Sequence, residues 1–314
     1  MAKFSGTPVR DLDLKDSESV SKLVEGFKAG GGFTAKKLAE GVDILADMIS
    51  DESSLNFLSF PAALVSTGVR GVFKELAEKK LFDVFITTCG TLDHDLARVH
   101  RDYYHGRFNL DDAVLHKKGV NRLGNILIPN ECYGVILEET MQPILKDLYD
   151  KGLREVSGVE LIWEFGRRLK DKKSILYWTA RNKIPVIVPG LMDGAFGSQL
   201  FFFQQSHRDF KLNVFKDQEL LAERVFNAKK TGALMIGGGI SKHHTIWWNQ
   251  FMGGLSRAVY LTTAVEHDGS LSGARLREAV SWGKIKEKAK YITVEGDASI
   301  NLPLMMAVVL DRLK

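Results

Sequence analysis

A lysine can act as a nucleophile only when its amine is neutral, and that takes neighbours that strip water from it. Lys284, in "EAVSWGKIKEK" (278–288), has such a neighbour in Trp282, just upstream across Gly283. A neutral amine there would attack a carbonyl or iminium carbon and form a Schiff base. Glu278, about a helical turn and a half earlier, offers a carboxylate for a second cationic group. Lys286 and Lys288 in the same stretch read as solvated charge.

The other titratable feature is the pair His243–His244. Adjacent side chains diverge on a helix or strand, and no third ligand follows at a familiar spacing, so a metal site is not expected. One of the two, placed in a cleft, suits general-base work; a packed histidine bonded to backbone is the alternative. In "TIWWNQF" (245–251), one of Trp247 and Trp248 should face inward, for packing or to hold a cation.

These groups need a scaffold, and the chain alternates short apolar runs with helical patterns. Segments 55–60, 82–90, 125–129, 184–190, 232–239, 258–264 and 290–298 read as strands, apolar on both faces. Helical periodicity covers 34–50 with Thr34 as N-cap, 66–80 and 217–232. Continuous apolar strands between helices predict a parallel sheet covered on both sides. The expected organisation is a helical N-terminal extension (1–50) and a single α/β catalytic domain (51–314). Ligands of such sheets bind beyond the carboxyl ends of the strands. Those ends read "TTCGTLDHD" (87–95), "PGLMDGAFG" (189–197), "IGGGISKHH" (236–244), "TTAVEHDGSLSG" (262–273) and "GDAS" (296–299). Their glycines suit phosphate, and Asp193, Asp268 and Asp297 suit ribose hydroxyls. Together they point to a dinucleotide, without the GxGxxG fingerprint; helix packing alone is the other reading.

Composition narrows the class. The 43 basic and 39 acidic residues leave a net charge of +4 with no basic stripe, which argues against nucleic acid. Cys89 and Cys132 form no CxxC or zinc ladder. No apolar run resembles a secretory signal or approaches the roughly 20 residues that span a bilayer. A cytoplasmic protein without membrane partners is expected.

In this order and spacing, "LVSTGVRG" (64–71), "TTCGTLDHDL", "RLGNILIPNE" (122–131), "IPVIVPGLMDGAFG", "SKHHTIWWNQF", "DGSLSGAR", "EAVSWGKI" and "GDAS" resemble the deoxyhypusine synthase family, in its archaeal form. The likeness runs from about residue 55 to the C-terminus and more loosely through the N-terminal helices. It implies an NAD-binding, Rossmann-like domain in a homotetramer with active sites at dimer interfaces. It also implies transfer of the 4-aminobutyl group of spermidine, through an enzyme-lysine imine, to one lysine of translation initiation factor 5A. By the same resemblance Lys284 is the covalent lysine and His243 the base. Glu278, Trp282, Asp93, His94, Gly269 and Ser270 then bind the amine. Ser66, Thr88, Cys89, Gly90, Asp193, Gly238, Thr263, Ala264, Asp268, Ser272, Asp297 and Ala298 would line the NAD site.

Five positions depart from the eukaryotic pattern. Ser198 and Leu271 stand for aspartates, Trp247 for an asparagine, and Asp93 and His94 for two glutamates. Asp93, Asp95 or Glu266 would have to supply the missing anionic partners, or the pocket would take another amine. Aminobutyl transfer to a small amine such as putrescine, as in homospermidine synthases, and a catalytically silent paralogue are the alternatives.

Overall fold

The computed structural model describes residues 6–314. Six strands build the main sheet: β1 (Ser54–Ser59), β2 (Val84–Ile86), β3 (Val186–Ile187), β4 (Lys230–Ile236), β5 (Leu255–Thr262) and β6 (Ile285–Glu295). Their order is β3-β2-β1-β4-β5-β6, and every pairing is parallel. The chain works outward from β1 in both directions, so the switch point lies between β1 and β4, where doubly wound folds open a crevice.

The strands are apolar throughout because both faces are covered. Leu58, Phe85, Leu234, Val259 and Leu261 point to one side, while Phe57, Val84, Ala233, Ala258 and Tyr260 point to the other. On the first side the helices Phe33–Ile49 and Ala298–Arg312 bury Leu38, Val42, Leu45, Met305 and Val309. On the second side Ile246, Leu221 and Leu276 close the core from the helices Ile240–Asn249, Val214–Phe226 and Leu276–Ser281. The segment expected as an N-terminal extension thus supplies part of the main core. At Gly41 an added Cβ would meet Met305 Cε at 2.7 Å, which shows how closely that helix is seated.

Several boundaries differ from the sequence expectation. Gly31, at φ 69, ends the helix Val20–Gly30 in the left-handed region, and Gly32 caps the next helix, leaving Thr34 inside its first turn. The strand expected over 82–90 stops at Ile86, and a helix begins at Cys89. The segment 125–129 is no part of the parallel sheet. Ile126–Pro129 forms an antiparallel hairpin with Val120–Leu123, and Tyr104–His105 adds a third strand. The connection is Gly124-Asn125, with Gly124 at φ 62, a two-residue hairpin turn whose signal is local. Strand β6 begins at Ile285, earlier than its apolar half suggests, and a register shift between Leu255 and Arg257 lets it rejoin β5.

Candidate active site

Lys284 reaches its position through a specific turn. The helix Leu276–Ser281 ends at Trp282, and Gly283 takes φ 66. Gly283 N then donates to Val280 O at 3.0 Å and Lys284 N to Ala279 O at 3.0 Å. This is the paired-bond helix stop that needs a left-handed residue, which explains the glycine between tryptophan and lysine. Leu255 N donates to Lys284 O at 3.1 Å and fixes the residue at the amino end of β6. Only 8% of Lys284 is exposed.

The side chain lies in a cavity of about 290 Å3 lined by Lys242, His243, Trp247, Leu271, Arg275, Glu278 and Trp282, with Ile246, Ala274 and Ala279 as apolar floor. Its Nζ stands 5.0 Å from the centre of the Trp282 ring and 5.6 Å from that of Trp247, within cation–π range of both. His243 stacks on Trp247 at 5.6 Å between centroids. Burial, together with the Lys284 cation, holds its imidazole below the usual histidine range, so the ring is neutral at neutral pH. The neighbouring His244 turns the other way, half-buried beside Trp248, and desolvation pushes it down to about 4. Trp248 likewise faces away and donates to Gln218 Oε1 at 3.0 Å.

A second cavity, also about 290 Å3, opens at the carboxyl ends of β1, β4, β5 and β6. Pro61, Gly237, Gly238, Thr263, Ala264, Ser272, Asp297 and Ala298 line it. A Cβ on Gly238 would fall 2.2 Å from Ser272 Cα, so bare backbone is required there. Asp297 caps the helix Ala298–Arg312, accepting from Ser299 N at 2.6 Å.

The expected site residues therefore fall into five groups. Lys284, His243, Glu278 and Trp282 meet in the first cavity, and Gly238, Thr263, Ala264, Ser272, Asp297 and Ala298 in the second. Ser66 lies in the segment after β1, and Thr88, Cys89 and Gly90 in the turn after β2, where Thr88 and Gly90 meet that segment. Ser66 Oγ donates to Ala63 O, Ala62 N donates to Thr88 Oγ1, and a Cβ on Gly90 would meet that of Ala62 at 2.9 Å. The Cys89 thiol is buried and pushed up to about 12. Asp268, Gly269 and Ser270 form the turn between the cavities, in which Ser270 N donates to Asp268 Oδ1 at 2.7 Å.

The fifth group stands apart from both cavities. Asp193 lies in the loop after β3, two strands from β1, and Ser198 is exposed on the helix Ala195–Ser206. Asp93 is fully buried and accepts from Tyr133 Oη at 2.8 Å, Ala195 N at 3.0 Å and Phe196 N at 2.7 Å. It caps a helix, so within this chain its oxygens are committed. His94 is buried against Tyr103 Oη at 3.0 Å, and burial takes it down to about 4. The carboxylates expected to replace the missing aspartates are occupied too. Asp95 binds Arg70, Ser174 and the backbone of Ile175 and Leu176, while Glu266 pairs with Arg277. Glu278 alone supplies a carboxylate to the Lys284 cavity among the described residues.

Sequence reasoning missed Lys242 and Arg275, which line the same cavity. The legible signal was the placement of Lys242 four residues before Ile246, on the apolar face of its helix.

A sheet in the 3-2-1-4-5-6 order, with a glycine-lined crevice at its switch point, is the doubly wound architecture of dinucleotide-binding domains. The family model described as "DS: Deoxyhypusine synthase" matches residues 22–309. Relatives named "Probable deoxyhypusine synthase" are 54% identical over 300 residues in Picrophilus torridus and 52% in Thermoplasma acidophilum, each covering 96% of both chains. A crystal structure of a candidate deoxyhypusine synthase from Entamoeba histolytica superposes with a TM-score of 0.65 at 19% identity, over 96% of this chain and 97% of that one, and supports the fold. This chain belongs to the deoxyhypusine synthase family. No helix of the described residues is long and apolar enough to cross a membrane.

Proposed function

We propose that the protein is an NAD-dependent aminobutyl transferase of the cytoplasm. It takes the 4-aminobutyl group of spermidine onto Lys284 and passes it to a lysine of translation initiation factor 5A. The supporting observation is the turn at Gly283, which delivers Lys284 between two indoles and beside a neutral histidine.

The lining of the second cavity supports NAD as the cofactor. Gly237 and Gly238 bring bare backbone to the crevice and a helix starts at Ala298, an arrangement suited to a pyrophosphate. When bound, NAD supplies the hydride acceptor for the carbon beside the secondary amine and returns that hydride at the end. The chain's own residues do the rest. His243, neutral, takes a proton from the secondary nitrogen as that carbon is oxidised. Glu278 holds the terminal ammonium of the four-carbon arm. The Lys284 amine adds to the iminium carbon, the C–N bond to the three-carbon arm breaks, and 1,3-diaminopropane leaves with the proton shed by Nζ. Trp282 and Trp247 present π faces to the resulting lysine iminium cation. The acceptor lysine then displaces Lys284 by the same exchange. Family membership supports a homotetramer with sites completed across dimer interfaces.

Incubation with NAD, spermidine labelled in its butyl arm, and factor 5A tests the reading. Label should move to one lysine of the factor. Label on homospermidine when putrescine is added, with none on the factor, would transfer the assignment to small-amine synthesis.

A further inference from the structure

Lys242 is a buried charge that the proposed chemistry does not use. It is 2% exposed, on the helix that also carries His243. Its Nζ donates to Leu271 O at 2.9 Å and Ala274 O at 2.6 Å and lies 3.9 Å from the centre of the Tyr260 ring. An ammonium has three N–H groups, and these three partners occupy them.

The residues it grips form an edge that the two cavities share. Leu271 faces the Lys284 cavity and Ser272 faces the crevice at the switch point. From the sheet, Tyr260 Oη donates to Ser272 O at 2.6 Å, and Thr262 Oγ1, at the crevice, donates to the same oxygen at 3.0 Å. Gly238 is packed against Ser272, and a Cβ on Gly273 would fall 2.1 Å from Val265 O. The loop cannot shift toward either cavity without disturbing the other.

We infer that Lys242 is a positioning residue that couples the two cavities, pinning from the lysine side a loop that is also the wall of the cofactor crevice. A buried ammonium on a loop is expensive where an apolar contact would suffice, and a wall held in one register is the return. Burial brings its pKa down to about 8, opposed by Glu278 and reinforced by Arg275, so most of the amine is still charged at neutral pH.

The inference rests on the proposed NAD and spermidine sites, and the test separates the two. NADH, which accepts no further hydride, is titrated by fluorescence with and without saturating spermidine. Wild type should show a coupling factor of about fivefold or more between the ligands. In Lys242→Met, which keeps most of the stem without the donors, the factor should fall to within about twofold of unity while each ligand still binds alone. Tyr260→Phe, which removes the shorter of the two hydrogen bonds to Ser272 O, should lower it as well and carries the test if Lys242→Met does not fold. A merely structural lysine would lower the melting temperature and leave the factor unchanged. An unaltered factor in Lys242→Met, or no coupling in wild type, overturns the inference. Failure of wild type to bind NADH at all overturns the functional reading and the inference with it.

Discussion

Trp282 and Lys284 are separated by a single residue, yet the lysine amine lies 5.0 Å from the centre of the indole ring. Gly283 makes this approach possible, because its φ of 66 folds the chain back at the end of the helix. Gly283→Ala should cost about 1–2 kcal/mol of stability from the left-handed conformation alone. The loss of lysine trapping should be larger than that, since the turn sets where the amine points. Thermal unfolding and borohydride trapping on the same preparation separate the two effects. Full trapping in Gly283→Ala would mean that the turn does not position the nucleophile.

His94 and His244 should destabilise the fold in acid. Burial depresses both to about 4, so the folded state refuses protons that the unfolded chain accepts near pH 6.5. Their contribution is present above pH 6.5 and is lost as pH falls toward 4, on the order of 2 kcal/mol for each histidine. Urea melts at pH 7.5 and 4.5 measure the slope. His244→Phe, which keeps the contact with Trp248, should flatten it by about half; an unchanged slope would place the proton uptake elsewhere.

His243 titrates in the cavity itself, and its direction sets the acid limb of activity. Because burial and the Lys284 cation lower its pKa, the rate of NADH formation, which calls on the His243 base and not on the Lys284 nucleophile, should fall only below pH 6.5 as the ring is protonated. A limb centred above pH 7 would contradict a neutral His243 base.

Asp93 should behave as a cap. Asp93→Ala strands Tyr133 Oη and the amides of Ala195 and Phe196, at a cost of about 2–4 kcal/mol. In whatever fraction stays folded, trapping at Lys284 should approach that of wild type. A stable Asp93→Ala with a raised KM for spermidine would instead return this residue to the amine site.

Much of this molecule is legible in its sequence, and the reasons differ by element. Six parallel strands announce themselves as continuous apolar runs because both of their faces are buried. The hairpin at Gly124-Asn125 was equally local, but its apolar strand resembles a buried one until the turn is weighed. Lys284 stands out through Trp282 and Gly283, neighbours in sequence. Asp93 does not, since its partners Tyr133, Ala195 and Phe196 lie 40 or more positions away and turn a polar helix residue into a cap. The shared wall at Leu271 and Ser272 depends on the chain returning past Lys242 and Tyr260, and no local pattern records that.

Leu271 leaves Glu278 as the cavity's carboxylate, which gives a test of amine choice. Leu271→Asp should lower the KM for spermidine by about tenfold, the worth of one well-placed charge pair near 1.4 kcal/mol. No change in KM, with kcat preserved, would show that the amine does not pass this wall.

Lys284 is the proposed carrier of the transferred group, and a second amine, Lys242, lines the same cavity. Borohydride reduction in the presence of NAD and spermidine, followed by peptide mapping, decides between them. One aminobutyl adduct is expected, on Lys284, and it should disappear in Lys284→Arg. An adduct on Lys242, or trapping that survives Lys284→Arg, would contradict that assignment.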